Sequence, residues 1–437
     1  MHSAPTSLRC GCRPDVTVTR LDVREASAHM LEGVRALGTE AIEIDAALGR
    51  VLALDATSPV FLPPRDNSSM DGFAVKSGDV QGATAEQPRR LRIVGTIAAG
   101  SPTTRPLQPG EAARIMTGAY IPDGANTVIR VEDTVASAAE GEVVVVDDRD
   151  AGRNIRRRGE DVQSGVVVIR TGTALGAAHI GVLASIGFAR PVVFRRPRVA
   201  ILATGDELAP LDRFDDVMAG THIVSSNSYS LAAAVRAAGG EPVPLGISPD
   251  DPAALGARLR EAEGCDLVLT SGGVSVGDFD YTRRVVADLG GTLSLWRVRM
   301  RPGAPLGFGT LFGVPWLGLP GNPVSALVTF ELFGRPLLRT LGGHARPHRR
   351  TITVESADPI QLGAPLTHFL RVTLEDVSGG CPIANLTGSQ SSGILTSMSA
   401  ANALMIVPPD SLELPAGTTL RALPLDGDLG GSEVFLA

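Results

Sequence analysis

The chain has 437 residues, too many for one ordinary core, so about two to four domains are expected. Hydrophobic residues make up 43% and charged residues 20%, which is globular usage and excludes a disordered chain. A net charge of −7 with only 4% aromatics argues against a nucleic-acid or anionic-membrane binder.

Cys10, Cys12, Cys265 and Cys381 form neither a disulfide framework nor a zinc spacing, and read as reduced thiols. No apolar run reaches the roughly 18 residues of a membrane span, and no signal-peptide core is visible. A cytoplasmic protein is expected. Lys76 is the only lysine, so arginine supplies the rest of the 40 basic residues.

Residues 1–18 read as a loose arm. Val23, Ala26, Met30, Val34 and Leu37 recur at helical spacing, with Gly38 as the stop. Ala41–Ser58 reads as strand, turn and strand. From 63 to 150 short apolar runs alternate with Gly, Pro, Asn and Asp turns, predicting a small β domain. Helical character returns at Leu175–Ile186. The β domain is therefore read as an insertion between 19–62 and 151–195.

Residues 196–345 alternate strands and helices, predicting a mainly parallel sheet covered on both faces. Asp250-Asp-Pro252 has the pattern of a helix start. Residues 346–437 return to short β runs and read as a C-terminal β barrel or sandwich. The fold class expected is multidomain α+β, built on a central α/β domain.

Ligands of a parallel α/β sheet bind beyond the carboxyl ends of its strands. Three strands here lead into special loops: Thr204-Gly-Asp-Glu207, Ser271-Gly-Gly-Val-Ser-Val-Gly-Asp278 and Pro320-Gly-Asn-Pro323. Right-handed crossovers place all three on one edge. Gly272, Gly273 and Gly277 let backbone N–H groups approach an anion, and Ser271 and Ser275 add hydroxyls. An ordinary tight turn is the plainer reading of that loop alone. Glu207 is placed to hold Mg²⁺ against phosphate oxygens, with Asp206, Asp278 and Asp280 as neighbouring carboxylates; helix capping is the rival role for Asp206. Arg297, Arg299 and Arg301 alternate, so a strand would aim all three guanidinium groups to one face. A solvated edge strand is the rival there.

Six motifs occur in order: Ser69-Met-Asp-Gly-Phe-Ala, Arg114-Ile-Met-Thr-Gly-Ala, Asn154-Ile-Arg-Arg-Arg-Gly-Glu-Asp, Thr204-Gly-Asp-Glu-Leu, Ser271-Gly-Gly-Val-Ser-Val-Gly-Asp and Leu319-Pro-Gly-Asn-Pro-Val-Ser. In this order they resemble the molybdopterin molybdenumtransferase family (MoeA and the gephyrin E domain). The resemblance implies a homodimer that joins molybdate to adenylylated molybdopterin, releases AMP and requires Mg²⁺. It implies catalytic roles for Asp71, Glu207, Asp280 and Arg301, with Glu207 and Asp280 at the metal.

Substrate contacts are implied for Thr204, Gly205, Asp206, Asn227, Asp250, Ser271, Gly272, Gly273, Ser275, Gly277 and Asp278. The same holds for Arg297, Pro302, Pro305, Pro320, Gly321, Asn322, Pro323 and Ser325. Asp71, Thr117 and Asp161 would complete the partner protomer's cleft, and Arg371 and Ser392 match positions linked to oxyanion binding. Where the family commonly has a lysine this chain has Ala304, which implies weaker molybdate binding. Alternatives are a molybdopterin adenylyltransferase, which shares the parallel-sheet domain, and a gephyrin-like scaffold. A separate adenylyltransferase is a further candidate partner.

Overall fold

The structure is a computed structural model, and describes residues 20–101, 105–137, 139–273, 279–377 and 380–425. Its central sheet runs in the order Arg20–Leu21, Thr292–Val298, Pro305–Leu311, Val314–Leu319, Leu267–Ser271, Arg198–Thr204, Glu241–Ser248. The last four strands are parallel, while Pro305–Leu311 runs antiparallel to both neighbours. The sheet is thus mixed overall, with one purely parallel half.

Alternation within the strands explains why that half reads as continuous apolar sequence. Val199, Ile201, Leu267, Leu269 and Leu317 face one core, with Leu231, Val235 and Leu337 from the helices. Ala200, Leu202, Val268 and Trp316 face the other, against Leu255, Leu259 and Val285. Both faces are covered, so neither alternate position is left for polar residues.

The helix Pro252–Arg260 starts as its sequence implies: Asp251 caps it, accepting from the Ala254 N–H at 2.8 Å, with Pro252 in the first turn. The first helix is shorter than its apolar spacing suggests. It spans Val23–Leu31 behind an Asp22/Glu25 capping box, and Gly33 adopts φ 73°. Gly33, rather than Gly38, follows its end, while Val34 and Leu37 still pack on the core from outside the helix. Ala41–Ser58 is likewise more broken than strand, turn and strand: Thr39–Ala41, a 3₁₀ turn at Ile44–Ala46 and the short strand Ala56–Thr57.

Two distant stretches of the N-terminal half interlock. Thr39–Ala41 pairs with Val192–Phe194, Ala56–Thr57 with Val167–Ile169, and Asn67–Ser68 with Ile155–Arg156. Leu52, Leu175, Leu183, Ile186 and Val193 form their shared core. Between these stretches lies a separate sheet in the order Thr127–Arg130, Gly72–Val75, Glu111–Ile115, Arg89–Ile97, Glu142–Val145, Thr134–Ala136.

At the C-terminal end, Thr367–Glu375, Ile383–Leu386, Ile352–Ser356, Thr419–Pro424 and Ala403–Val407 pair in sequence, and the last returns to the first to close a barrel. Met300–Arg301 pairs with Thr367–His368 of this barrel. One segment therefore leaves the central sheet and joins the barrel, which brings the barrel against the carboxyl edge of the parallel strands.

Candidate active site

The three predicted loops meet. Thr204, Gly205 and Glu207, Ser271 to Gly273, and Gly321 to Pro323 line one cavity of about 700 Å³ with Asn227 and Asp250. Backbone and side-chain hydrogen bonds bind the loops together. The Gly272 N–H donates to Leu319 O at 3.2 Å, the Gly205 N–H to Ser248 O at 3.2 Å, and the Asp250 N–H to Asp206 Oδ1 at 3.1 Å. Asp206 thus joins two loops, and it caps no helix, because the element that follows it is the short strand Leu208–Ala209 and the next helical turn, Leu211–Arg213, starts behind Pro210.

Asn227, only 7% exposed, donates through Nδ2 to Ser271 Oγ (2.7 Å) and Gly321 O (2.8 Å). Its Oδ1 and Thr204 Oγ1 are sealed from solvent without protein partners, a cost that a bound polar ligand would relieve. Gly272 has φ +94°, and a Cβ there would stand 2.4 Å from Thr204 O. Only glycine permits this approach of two loops. At Gly205, a Cβ would lie 2.6 Å from Glu207 Oε2, so the carboxylate folds back over that glycine.

A second chamber of about 810 Å³ lies between the central domain and the barrel. Its walls include Arg301, Pro302, Ala304, Pro305, Pro320, Ser325, Arg371 and Ser392. Asn322 lines both chambers. Arg371 is wholly buried. Its guanidinium meets only neutral oxygens: Nε donates to Ser397 Oγ at 3.1 Å, and Nη2 to Ser389 O and Ser391 O at 3.2 and 3.0 Å. Nη1 is buried and unpartnered. Burial lowers the pKa of this group, and among the described residues no carboxylate pairs with its positive charge. Such a group calls for an anion.

Other predicted residues lie elsewhere. Arg297 and Arg299 do alternate with buried Val298 and Met300, yet of the stripe only Arg301 lines the second chamber. The central strand ends at Val298, and Arg299 lies at the crossing to the barrel, bonded through its backbone to Leu21 O and the Thr367 N–H. Asp71 and Thr117 face each other in the inserted domain: the Thr117 N–H and hydroxyl both donate to Asp71 Oδ1, at 2.6 and 2.8 Å. These two bonds hold the Asp71 carboxyl below its ordinary pKa. Asp161, whose N–H donates to Leu62 O, lines neither chamber.

Ser275, Gly277 and Asp278 lie outside the described residues. Asp280 belongs to the helix Phe279–Asp288, its side chain also outside the description. Among the described residues no cluster of three or more His, Cys, Asp and Glu is set to hold a metal.

Sequence reasoning missed Ser225, Ser226, Gly393 and Leu395 in the first chamber and His368 and Gln390 in the second. The barrel residues carried no local signal, because their place depends on how the barrel closes.

Comparison with known proteins gives a family. Models described as "MoeA N-terminal region (domain I and II)", "Probable molybdopterin binding domain" and "MoeA C-terminal region (domain IV)" match residues 21–187, 200–340 and 353–425. A "Molybdopterin molybdenumtransferase" of Nostoc sp. is 39% identical over 89% of this chain and 89% of its own. "Molybdopterin molybdenumtransferase 2" of Mycobacterium tuberculosis is 38% identical over 92% and 99%. The crystal structure of the molybdopterin biosynthesis MoeA protein from Pyrococcus horikoshii OT3 superposes with TM-score 0.81 at 29% identity, covering 93% of this chain and all of that one.

Proposed function

The chain belongs to the MoeA family of molybdopterin molybdenumtransferases, and we propose that it joins molybdate to adenylylated molybdopterin with release of AMP. The observation that carries this reading is the pair of chambers meeting at Asn322. The first suits a phosphate-bearing ligand, with glycine turns, hydroxyls and two carboxylates, Glu207 and Asp250. The second suits a small oxyanion, because the buried Arg371 has no counter-charge of its own. The reaction needs both, side by side.

Breaking the phosphate linkage to AMP builds negative charge on phosphate oxygens. Fixed groups that meet this charge without reorganising lower the barrier. The loops at Ser271–Gly273 and Gly321–Asn322 would orient the phosphates, while Arg371 and Arg301 would hold molybdate. Mg²⁺ usually takes one or two carboxylates and completes its shell with substrate phosphates and water. Glu207 in the cavity wall fits that pattern, with Asp280 as second ligand, and the ion would there neutralise developing phosphate charge. No covalent nucleophile is required.

Homodimerisation would give the exposed Asp71–Thr117 pair and Asp161 a role at the partner's cleft. A cytoplasmic setting and a separate adenylyltransferase as supplier of substrate fit the same reaction. No helix among the described residues is long and apolar enough to cross a membrane. Family matches on both flanks of the molybdopterin-binding region favour insertion over adenylylation.

The test is incubation with adenylylated molybdopterin, Mg²⁺ and molybdate, following AMP. Molybdate-dependent AMP release that Glu207→Gln abolishes is the expected result. Intact wild-type protein that releases none would reject the reading.

A further inference from the structure

A second concentration of charge lies where the central domain hands over to the barrel. Residues 331–350 carry five arginines and two histidines against one carboxylate, Glu331, in a chain whose net charge is −7. Glu331, Arg335 and Arg339 recur at four-residue spacing along one continuous helical run, Phe330–Gly334 followed by Arg335–Leu341. They therefore lie along one face.

Arg349 returns to that face from the following loop. Its Nε donates to Glu331 Oε1, and Arg335 Nε lies 3.5 Å from the same oxygen. The side chains of Glu331 and Arg335 are only 12% and 13% exposed. Arg335 Nη1 donates to Pro347 O at 3.3 Å, fixing the loop over the helix.

Glu331 is thus shared by two arginines, and a third is left over. Arg339 Nε is sealed from solvent with no hydrogen-bond partner. His344 gives no relief: burial, then Arg339 and Arg335, hold its pKa down to about 4, so it stays neutral near pH 7. The same loop touches the N-terminal half, where the Ala345 N–H donates to Gly172 O at 3.1 Å. The loop over the cluster is thus held to both the helix and the N-terminal half, and beneath it three arginines share one carboxylate.

We propose that the cluster of Arg335, Arg339 and Arg349 around Glu331 binds a phosphate-class oxyanion, at a site separate from the two chambers and independent of the proposed transferase reaction. Arginine forks match tetrahedral oxyanions, and a partly buried cluster with too few carboxylates gains most from one. The bound anion would supply the missing counter-charge and fasten the loop 342–350 to the helix beneath it.

The test needs a local readout, because the main cavity also attracts anions. Hydrogen exchange of peptides covering 335–350 is compared in phosphate and in chloride at equal ionic strength, in the full-length protein. Phosphate should slow exchange there by at least about tenfold in the wild type and in Arg371→Gln, but not in Arg339→Gln. AMP release by Arg339→Gln should match the wild type. Should Arg339→Gln fail to fold, Arg349→Gln serves as the second variant. Equal exchange in the two salts, or slowing that survives both substitutions, overturns the proposal. So does slowing by a poly-glutamate peptide but not by phosphate, which would assign the cluster to an acidic protein partner.

Discussion

The side-chain amide of Asn322 donates to the hydroxyl of Ser392 at 3.1 Å, joining the central domain to the barrel at the point where the two chambers meet. The backbone repeats the link, the Val324 N–H donating to Ser392 O at 3.2 Å. Asn322→Ala removes the side-chain bond and leaves the backbone bond. AMP release should fall by about 10–100-fold in kcat/KM, while the melting temperature shifts by only a few degrees. Full activity in the variant would deny Asn322 a positioning role.

Gly272→Ala tests the loop geometry itself. Its Cβ would need to stand 2.4 Å from Thr204 O at φ +94°, so strand or loop must shift. A loss of about 3 kcal/mol in chemical denaturation is expected, together with weaker binding in the first chamber. A neutral substitution would show that the two loops have room to separate.

Ala304 lines the second chamber, the one proposed for the oxyanion, where a cation would strengthen anion binding. Ala304→Lys should tighten molybdate binding by about tenfold in calorimetric titration, a charge-assisted bond of roughly 1.5 kcal/mol. Unchanged affinity would defeat the view that the missing cation limits binding.

His344 makes stability depend on pH. Its folded pKa is depressed from 6.5 to about 4, so the unfolded chain binds more protons in between. The contribution is present above the unfolded value and is lost as pH falls through that window. Between pH 7 and pH 5 unfolding should become easier by up to about 2 kcal/mol, and His344→Gln should flatten that slope. Denaturation midpoints across this range measure it. An equally steep slope in the variant would contradict the assignment.

The convergence of the loops at Thr204, Ser271 and Gly321 was legible because a parallel sheet with crossover helices leaves them no other edge. The apolar strands and the Asp251-Pro252 helix start were legible for similarly local reasons. What the sequence concealed is long-range. Ser392 meets Asn322 across seventy residues, and only closure of the barrel brings Arg371 to the chamber wall. Arg297 looked equivalent to Arg301 by spacing, but the strand leaves its sheet between them. Period-two alternation fixes the face a residue occupies, not which cavity that face overlooks.

Crystals soaked in molybdate and recorded at the molybdenum absorption edge test the central claim most directly. Anomalous density should appear in the second chamber, beside the Arg371 guanidinium and within reach of Arg301 and Ser392, and should vanish in Arg371→Gln. Molybdenum bound only elsewhere, or density unaffected by that substitution, would contradict the assignment of this chamber to the oxyanion.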